Sequence, residues 1–569
     1  MIRKQLCFAA LIILTPVFLA AQPNLTWATQ FGGNGYDYGN GIGVDAAENI
    51  YICGQFDGTC DFDPGPGVYN LTATGSNCGF ISKLDPSGNF LWAHPLGGTT
   101  GNNSGRDLVV TPGGNVYVTG YFHGSGDFDP GVGVTTLTAS GDDAFACKLD
   151  PLGNLVWAKS IGGTSNEMGF TLALDASENC FIGGVFSNTV DFDPGAGTFT
   201  MTAAGNDAFI CELNSSGNFV RAIKLGGTYD DRCYGLVTDN AGNVYAAGMF
   251  SDVADFDPGA GIFRDTSNGL WDAYICKLTP TLDFTWVKCF GGTGQDYCVN
   301  IILDATNSVI CTGDFQYSMD SDPGPGTSTL TSNGIWDIFA VKLTNSGSFS
   351  WSARFGGVSG DYSCAVGTDL ANRVYLVGTF QGIVDFDPGA GSHIIASAGN
   401  YDAYLCILDS SGALECAGAM GGAALDHCNA IAILGDGKMY LTGPHTSGDF
   451  DPGTGTYTMN SVGLTDTYVL KLDGCASVGI DEAPAASGLN LFPNPVHGQL
   501  QIAVSSTETE EISNVEVING LGAVVLNAQP ASPACMLDLT GQAPGIYFVR
   551  VVLNSGESER ILTSKIIVE

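Results

Sequence analysis

Short apolar runs alternate with Gly-, Asn- and Asp-rich turns along most of this chain. Within many runs the side chains alternate apolar and polar, the period of a β-strand. Asn115-Val116-Tyr117-Val118-Thr119-Gly120 is one such run, and Asp143-Ala144-Phe145-Ala146-Cys147-Lys148-Leu149-Asp150 is another. A third type is the apolar run after a Gly-Gly pair, such as Leu172 to Leu174, and a fourth carries a Trp. In the order a (after Gly-Gly), b (Val-Tyr-Val), c (Ala-Phe-x-x-Lys-Leu) and d (Trp), they predict four short strands per unit. Turns such as Asp85-Pro86-Ser87-Gly88-Asn89 separate them.

The unit recurs. D-x-D-P-G-x-G occurs seven times, beginning at Asp61, Asp127, Asp191, Asp255, Asp320, Asp385 and Asp449, with neighbouring copies 64 to 66 residues apart. A Gly-Gly pair ends at Gly33, Gly98, Gly163, Gly227, Gly292, Gly357 and Gly422. The Trp recurs as Trp27, Trp92, Trp157, Trp286 and Trp351, while Arg221 and Cys416 interrupt the series, so packing is expected to differ at those two units. A four-stranded antiparallel unit repeated seven times predicts a β-propeller, with an open solenoid as the competing arrangement. The first strand, around Trp27, is a d strand without its own a, b and c; the last repeat ends after c at Lys471-Leu472-Asp473. The N-terminal strand can therefore complete the last blade and remove two open sheet edges. The order G-N-x-Y-V-T-G, A-F-x-x-K-L-D and W-x-x-x-x-G-G over about residues 24–473 resembles the bacterial seven-bladed β-propeller repeat family. That resemblance implies a fold and no particular reaction.

A Pro-, Ala- and Ser-rich linker is expected at 475–488, after a propeller at 22–474. Beyond it, apolar runs at Leu489–Phe492, Leu500–Val504, Val515–Ile518, Val524–Leu526, Ile546–Val552 and Ile561–Val568 predict a small β-sandwich (Ig-like) domain at 489–569. The whole chain is thus read as all-β. Leu491-Phe492-Pro493-Asn494-Pro495, Val515-Glu516-Val517 with Gly522, Pro544-Gly545-Ile546-Tyr547 and the final Lys565-Ile566-Ile567-Val568 resemble the C-terminal sorting domain of type IX secretion substrates. The resemblance implies handling by the type IX secretion machinery through 489–569. It also implies a Gram-negative bacterium of the Bacteroidota type and a product at the outer-membrane surface or in the extracellular space.

Composition sharpens this picture. The chain has 569 residues, 80 glycines and a net charge of -38. Such a surface repels phosphate backbones, which argues against nucleic-acid binding. Arg3 and Lys4, an apolar run from Cys7 to Ala20 and the small residues before Gln22 read as a secretory signal at 1–21. The run is shorter than the ~20 residues of a membrane span, and no transmembrane segment is expected after its removal. Of 18 cysteines none forms a C-x-x-C pair. Cys147, Cys211, Cys276 and Cys406 share one repeat slot with Ser82 and Val341, which suits small buried residues better than bridges.

Candidate chemistry lies at one end of the units, where b-to-c and d-to-a connections should crowd together. The paired aspartates Asp61/Asp63, Asp127/Asp129, Asp191/Asp193, Asp255/Asp257, Asp320/Asp322, Asp385/Asp387 and Asp449/Asp451 have the spacing and following glycine of hard-cation loops. They equally suit Asx turns that merely shape the loop. Ca²⁺ is the one cofactor this pattern suggests. A carboxylate also recurs four residues after Gly-Gly at Asp37, Glu167, Asp231, Asp296, Asp361 and Asp426, with Asn102 as the exception. The six histidines share no slot, no G-x-S-x-G elbow is present, and the Gly-Gly pairs lack a following Lys-Ser or Lys-Thr. Arg221, Arg232 and His427 are the few departures from the repeat, read as surface or packing variants. The Trp slot suits blade packing better than sugar stacking. The leading expectation is a non-enzymatic binding or structural module of adhesion type with an unidentified protein or glycan ligand. A polysaccharide-acting enzyme using a carboxylate pair near the central channel, and a rigid surface spacer, are the alternatives.

Overall fold

A computed structural model describes residues 22–98, 100–476, 489–492, 496–504, 511–519, 523–530, 534–554 and 559–568. The signal read at 1–21, residues 477–488 of the linker, and Pro493–Pro495 and Gly522 of the tail motif lie outside the described residues. The chain divides into two compact units after Ala476.

The first unit is built from antiparallel sheets, each with a four-stranded core in the order a-b-c-d, and three of these sheets are extended to six strands by two short strands of the next repeat. We number them along the chain. In sheet 3 the strands are Met168–Leu174, Cys180–Asp191, Thr200–Leu213 and Phe219–Leu225. The two middle strands are buried on both faces because each sheet is covered by the next on either side. In sheet 4, for example, Val244–Phe250 and Asp272–Leu278 are buried throughout. The apolar core is accordingly shared between neighbours: Phe181 and Ile210 of sheet 3 pack in one cluster with Leu236, Val244 and Tyr274 of sheet 4.

The sheets form a closed ring rather than an open solenoid. Each a strand packs beside the a strands of its two neighbours, and the seventh, Ala430–Ile433, packs beside the first, Tyr38–Val44. As the repeat phase requires, the N-terminal strand Gln22–Gly33 pairs with Asp466–Ala476, with Ala28 opposite Leu470, and so supplies strand d of sheet 7. That last c strand runs to Ala476, so Cys475 and Ala476, read from sequence as linker, belong to the ring.

The slot Trp side chains seal one sheet against the next. The c-to-d turns carry glycines at positive φ, among them Gly88 (81°), Gly153 (86°), Gly217 (75°) and Gly412 (87°). Any side chain at these four would meet the indoles of Trp27, Trp92, Trp157 and Trp351 of the preceding sheet. The Trp157 indole N–H also donates to the Ser215 carbonyl at 3.2 Å. Both interruptions of the series have local causes. Opposite Arg221 the turn glycine is replaced by buried Leu282, at φ 61°. Arg221 donates instead to the Thr281 carbonyl at 2.7 Å and pairs with Glu212 at 2.9 Å. Opposite Cys416 there is no turn at all, because strands c and d of sheet 7 come from opposite ends of the ring sequence. There Cys416 forms a disulfide with Cys475. This bridge corrects the expectation of reduced core cysteines at one place only: Cys147, Cys211, Cys276 and Cys406 are free and buried.

The second unit has two antiparallel sheets. One joins Leu489–Phe492, Gln499–Val504 and Ala534–Asp538; the other joins Val524–Ala528, Glu511–Asn519, Gly545–Asn554 and Glu559–Val568. Leu500, Ile502 and Leu537 of the first share a core with Val515, Val549 and Val551 of the second. Ala534–Asp538 was not predicted. Its five residues hold one buried Leu537 beside exposed Met536, too short a pattern to stand out.

The disulfide secures the seam that no covalent turn crosses. In non-reducing buffer, which keeps it intact, Cys416→Ser is expected to cost about 2–4 kcal/mol in denaturant unfolding of the ring. Cys406→Ser, at an unbridged buried site, provides the comparison.

Candidate functional site

The seven acidic motifs form the tips of the b-to-c connections, where the chain makes a narrow two-stranded ribbon such as Thr59–Asp61 with Asn70–Thr72. The ribbon is joined to the preceding sheet: Gly32 and Gly33 pair with Asp61 and Cys60, Gly291 with Asp320, and Gly421 with Asp449. The b-to-c and d-to-a connections therefore do meet at one end. This explains the second glycine of each pair. A Cβ on Gly33, Gly227 or Gly292 would collide with a ribbon carbonyl oxygen, of Thr59, Val253 or Ser318 respectively.

Every motif aspartate is engaged by its own loop. Asp61 Oδ1 accepts the N–H groups of Asp63 at 3.1 Å and Tyr69 at 2.8 Å, and Asp63 Oδ1 accepts that of Gly65 at 2.8 Å. The equivalent bonds of Asp127, Asp191, Asp255, Asp320, Asp385 and Asp449 measure 2.7–3.2 Å. Those of Asp129, Asp193, Asp257, Asp322, Asp387 and Asp451 measure 2.7–2.9 Å. The motif's last glycine lies against the second aspartate: a Cβ on Gly67 would strike Asp63 Oδ2. Among the described residues no three His, Cys, Asp or Glu side chains come together in a metal-holding group.

The carboxylates after Gly-Gly form a second ring, at the seams. Asp37 Oδ2 accepts the N–H of Gly33 at 2.6 Å, and its other oxygen accepts that of Asp57 at 3.3 Å. Glu167, Asp231, Asp296, Asp361 and Asp426 hold the corresponding glycine at 2.6–2.9 Å. In sheet 2 the slot belongs to Asn103, not to Asn102. One extra residue shifts the register, and Asn103 Oδ1 accepts the Gly98 N–H at 2.9 Å. Each acid has a second buried acid close by, on strand c of the preceding sheet: Asp466, Asp143, Asp207, Asp272, Asp337 or Asp402. Beside Asn103 that position is Cys78, so the one seam lacking the first acid also lacks the second. Burial, reinforced by the neighbouring acid, pushes Asp37, Glu167, Asp231 and Asp296 up to about 7 and Asp361, Asp143 and Asp402 up to about 6.

Inside the ring the a strands line a channel with a cavity of about 800 Å³. Sevenfold regularity ends here. The residue following each seam acid is in turn Tyr38, Ser104, Met168, Arg232, Tyr297, Tyr362 and His427. Two residues deeper come Asn40, Arg106, Phe170, Tyr234, Val299, Cys364 and Asn429. The aromatics form a continuous arc: Phe170–Tyr234 (5.2 Å between centroids), Tyr234–Tyr297 (6.2 Å), Tyr297–Trp336 (5.5 Å), Trp336–Tyr362 (6.4 Å), Tyr362–Tyr401 (6.1 Å) and Tyr401–His427 (6.4 Å). Trp271 joins it at 6.5 Å from Tyr297. Trp271 and Trp336 immediately precede the c-strand acids Asp272 and Asp337 and stand outside the packing Trp series. The arc is held from behind. Buried Asp314 bonds the Tyr297 hydroxyl and accepts the Ser363 N–H at 2.7 Å. Arg232 is fixed by Asp230 at 3.0 Å and the Tyr234 hydroxyl at 3.2 Å. Arg106 is exposed to the channel and makes no ion pair among the described residues. Thus Arg232 and His427, read from sequence as packing variants, stand at the channel mouth, whereas Arg221 packs on the outer strand. Sequence reasoning missed Trp271, Trp336, Tyr297 and Arg106; the signal was that Trp271 and Trp336, one repeat apart, form a second Trp slot occupied in only part of the ring, and that Arg106 stands in one repeat alone.

Two parts of the chain match known family models. Residues 490–569 match the secretion system C-terminal sorting domain. Residues 26–55 match the β-propeller repeat. The chain is thus a secreted substrate of the type IX system with a β-propeller fold, sorted to the cell surface or the extracellular space. No helix among the described residues is long and apolar enough to cross a membrane. Curated relatives include an uncharacterized WD repeat-containing protein of Acanthamoeba polyphaga mimivirus, 22% identical over 63% of this chain and 30% of its own length. Another is the regulatory protein FlaEY of Caulobacter vibrioides, 24% identical over 39% of this chain and 23% of its own. The chain spans under a third of the length of either. Among solved structures, a chain of the mitotic checkpoint complex aligns at TM-score 0.40 and 8% identity, covering 84% of this chain and all of that one. PorZ, an essential surface component of the type-IX secretion system of Porphyromonas gingivalis, aligns at TM-score 0.17 and 12% identity, covering 95% and 100%. At these scores neither alignment bears on activity.

Two expectations follow for solution behaviour. The folded ring holds protons on its seam acids that the unfolded chain has released, because their folded pKa values lie above the ordinary 3.8 or 4.5. Stability therefore falls as pH rises from about 4 through about 7. The melting temperature should be higher at pH 5.5 than at pH 8, and Asp231→Asn, which copies the Asn103 solution, should reduce that difference. Separately, the motif aspartates serve as backbone acceptors. Melting in EDTA and in millimolar CaCl₂ should coincide, whereas Asp61→Ala should cost about 1 kcal/mol in either buffer. A calcium-dependent rise lost in Asp-to-Asn motif variants would assign the loops to Ca²⁺ instead.

Proposed function

We propose that this protein is a seven-bladed propeller that acts outside the cell as a binding module of adhesion type, engaging its ligand at the channel mouth and not through the acidic motifs. The observation that carries this reading is where the repeat breaks. The seven motif loops repeat one bonding pattern, which suits scaffolding. At the mouth the sheets are not equivalent: Tyr38, Tyr297 and Tyr362 share a slot that Ser104, Met168, Arg232 and His427 fill in the others, and such an asymmetric surface suits a specific ligand. A cavity of about 800 Å³ is of ligand-binding size. Partly exposed aromatic side chains with a few fixed polar groups supply contact area at low conformational cost.

A binding role is favoured over catalysis because the paired acids are committed to the scaffold. The seam carboxylates are buried and hold backbone N–H groups. A glycosidase would need two carboxyls facing its substrate across a gap.

Two experiments test the reading. Deleting residues 490–569 should leave the protein inside the cell envelope, whereas the full chain reaches the surface or medium. On glycan and protein arrays the secreted protein should bind a ligand, and Trp336→Ala should weaken that binding while Asp61→Asn leaves it unchanged. The reverse pattern would move the binding face to the motif loops, and hydrolysis of an arrayed polysaccharide would favour the enzyme.

A further inference from the structure

Resting on that channel-mouth reading, we propose that the ligand is the end of a carbohydrate chain bearing a carboxylate, with the aromatic arc stacking on its sugar rings and Arg106 taking the carboxylate.

Three features of the mouth support this ligand class together. First, the central rings of the arc are tilted against one another, and only His427 stacks on its neighbour, Tyr401. Tyr234 and Tyr297 lie at 50°, Tyr297 and Trp336 at 63°, and Trp336 and Tyr362 at 40°. Tilted rings do not cover one another face to face. A pyranose offers the matching shape, a flat patch of C–H groups that packs on an aromatic face and a rim of hydroxyls that remains hydrated or bonded. Successive rings along the arc let successive sugars stack.

Second, the rings are held in place before any ligand arrives. Buried Asp314 occurs on strand b of sheet 5 only; the equivalent positions are Gln55, Tyr121, Val185, Met249, Thr379 and Pro444. It fixes the Tyr297 hydroxyl and, through the Ser363 N–H, the adjoining a strand. A buried, unrepeated acid that orients a channel-facing ring is expense without benefit to the ring fold, which forms six other seams without it. Preorganisation of this kind favours binding by reducing the ordering cost.

Third, the charges select one carboxylate. Two arginines line the cavity. Arg232 is neutralised by Asp230, whereas Arg106 makes no salt bridge among the described residues, although its charge acts on the adjoining Asp107. A guanidinium lining the same cavity as Phe170 and Trp336 can bind a planar carboxylate through two parallel N–H···O bonds. The net charge of -38 opposes a dense polyanion, so a chain end with a single acid fits better than an extended polyuronate.

The test uses the secreted full-length protein and pairs of oligosaccharides that terminate in a uronic acid or in its carboxyl-reduced, neutral form. Affinities are read by calorimetry and by Trp fluorescence. The wild type should bind the acidic member about tenfold more tightly, as loss of a charge-assisted hydrogen bond implies. Arg106→Gln should abolish that preference, bringing the two members to equal affinity, and Trp336→Ala should weaken both members about tenfold. Trp336→Phe, which keeps a ring, should retain most of the binding and shows that the site still folds. Equal affinity for both members in the wild type would overturn the carboxylate assignment. If no oligosaccharide binds but an aromatic peptide does, and Trp336→Ala removes it, the carbohydrate proposal falls and the binding face stands. If oligosaccharides bind and no channel substitution alters the affinity, both fall.

Discussion

Seven times around the ring the chain passes from the outer strand of one sheet to the inner strand of the next, and each passage must bring two backbones into direct contact. The Gly-Gly pair makes that contact possible. Its second residue lies against the ribbon of the following sheet, where even a methyl group would collide with a carbonyl oxygen, and its N–H is held by a buried side-chain oxygen: a carboxylate at six seams, an amide at Asn103. The acidic ribbons, the seam acids and the glycines are therefore parts of one joint. Backbone N–H groups that would otherwise be orphaned at the end of strand d find acceptors there, as burial demands. The cost is a set of buried acids kept near neutrality, tolerable because the folded protein can hold their protons.

This joint separates scaffold from function. Its residues repeat because each seam poses the same steric problem. The channel-facing residues of the a strands are under no such demand, since they line the cavity and take no part in the seam contacts. They are free to differ, and they do: an aromatic arc over one side, Ser104 and Arg106 on the other, and a buried Asp314 where the other sheets have no acid. On a ring of nearly equivalent sheets, irregularity is the physical mark of a site that has a particular thing to recognise.

Most of the architecture was legible in the sequence because strands b and c are buried on both faces and cannot vary freely. The four-strand unit, the completion of the last sheet by the strand around Trp27, and the division before the C-terminal strands all follow from that periodic constraint. Other features were not legible. The Asn103 slot was displaced to Asn102 by one inserted residue, which a count along the chain cannot detect but a hydrogen bond to Gly98 does. The Cys416–Cys475 bridge depends on the absence of a c-to-d turn at the closing seam, a consequence of three-dimensional closure. The aspartates of the motif could be read as ligands or as turn formers, since either use needs the same spacing. In the structure Asp61 accepts the N–H groups of Asp63 and Tyr69, the bonds of the turn use, and the calcium melt decides whether the ligand use is added to it. The mouth residues escaped notice because only part of the ring carries them: Trp271 and Trp336, and Tyr297 and Tyr362, stand one repeat apart, while most other sheets place different residues in those slots.

Backbone hydrogen exchange at the seven Gly-Gly pairs tests the central claim most directly, that one buried acceptor joint holds every seam. Amides of Gly33, Gly98, Gly163, Gly227, Gly292, Gly357 and Gly422 should exchange only through global unfolding, at closely similar and very slow rates, with Gly98 no faster than the six acid-held sites. Rapid exchange at most of these amides under native conditions would contradict the account and leave the sheets held together by apolar packing alone.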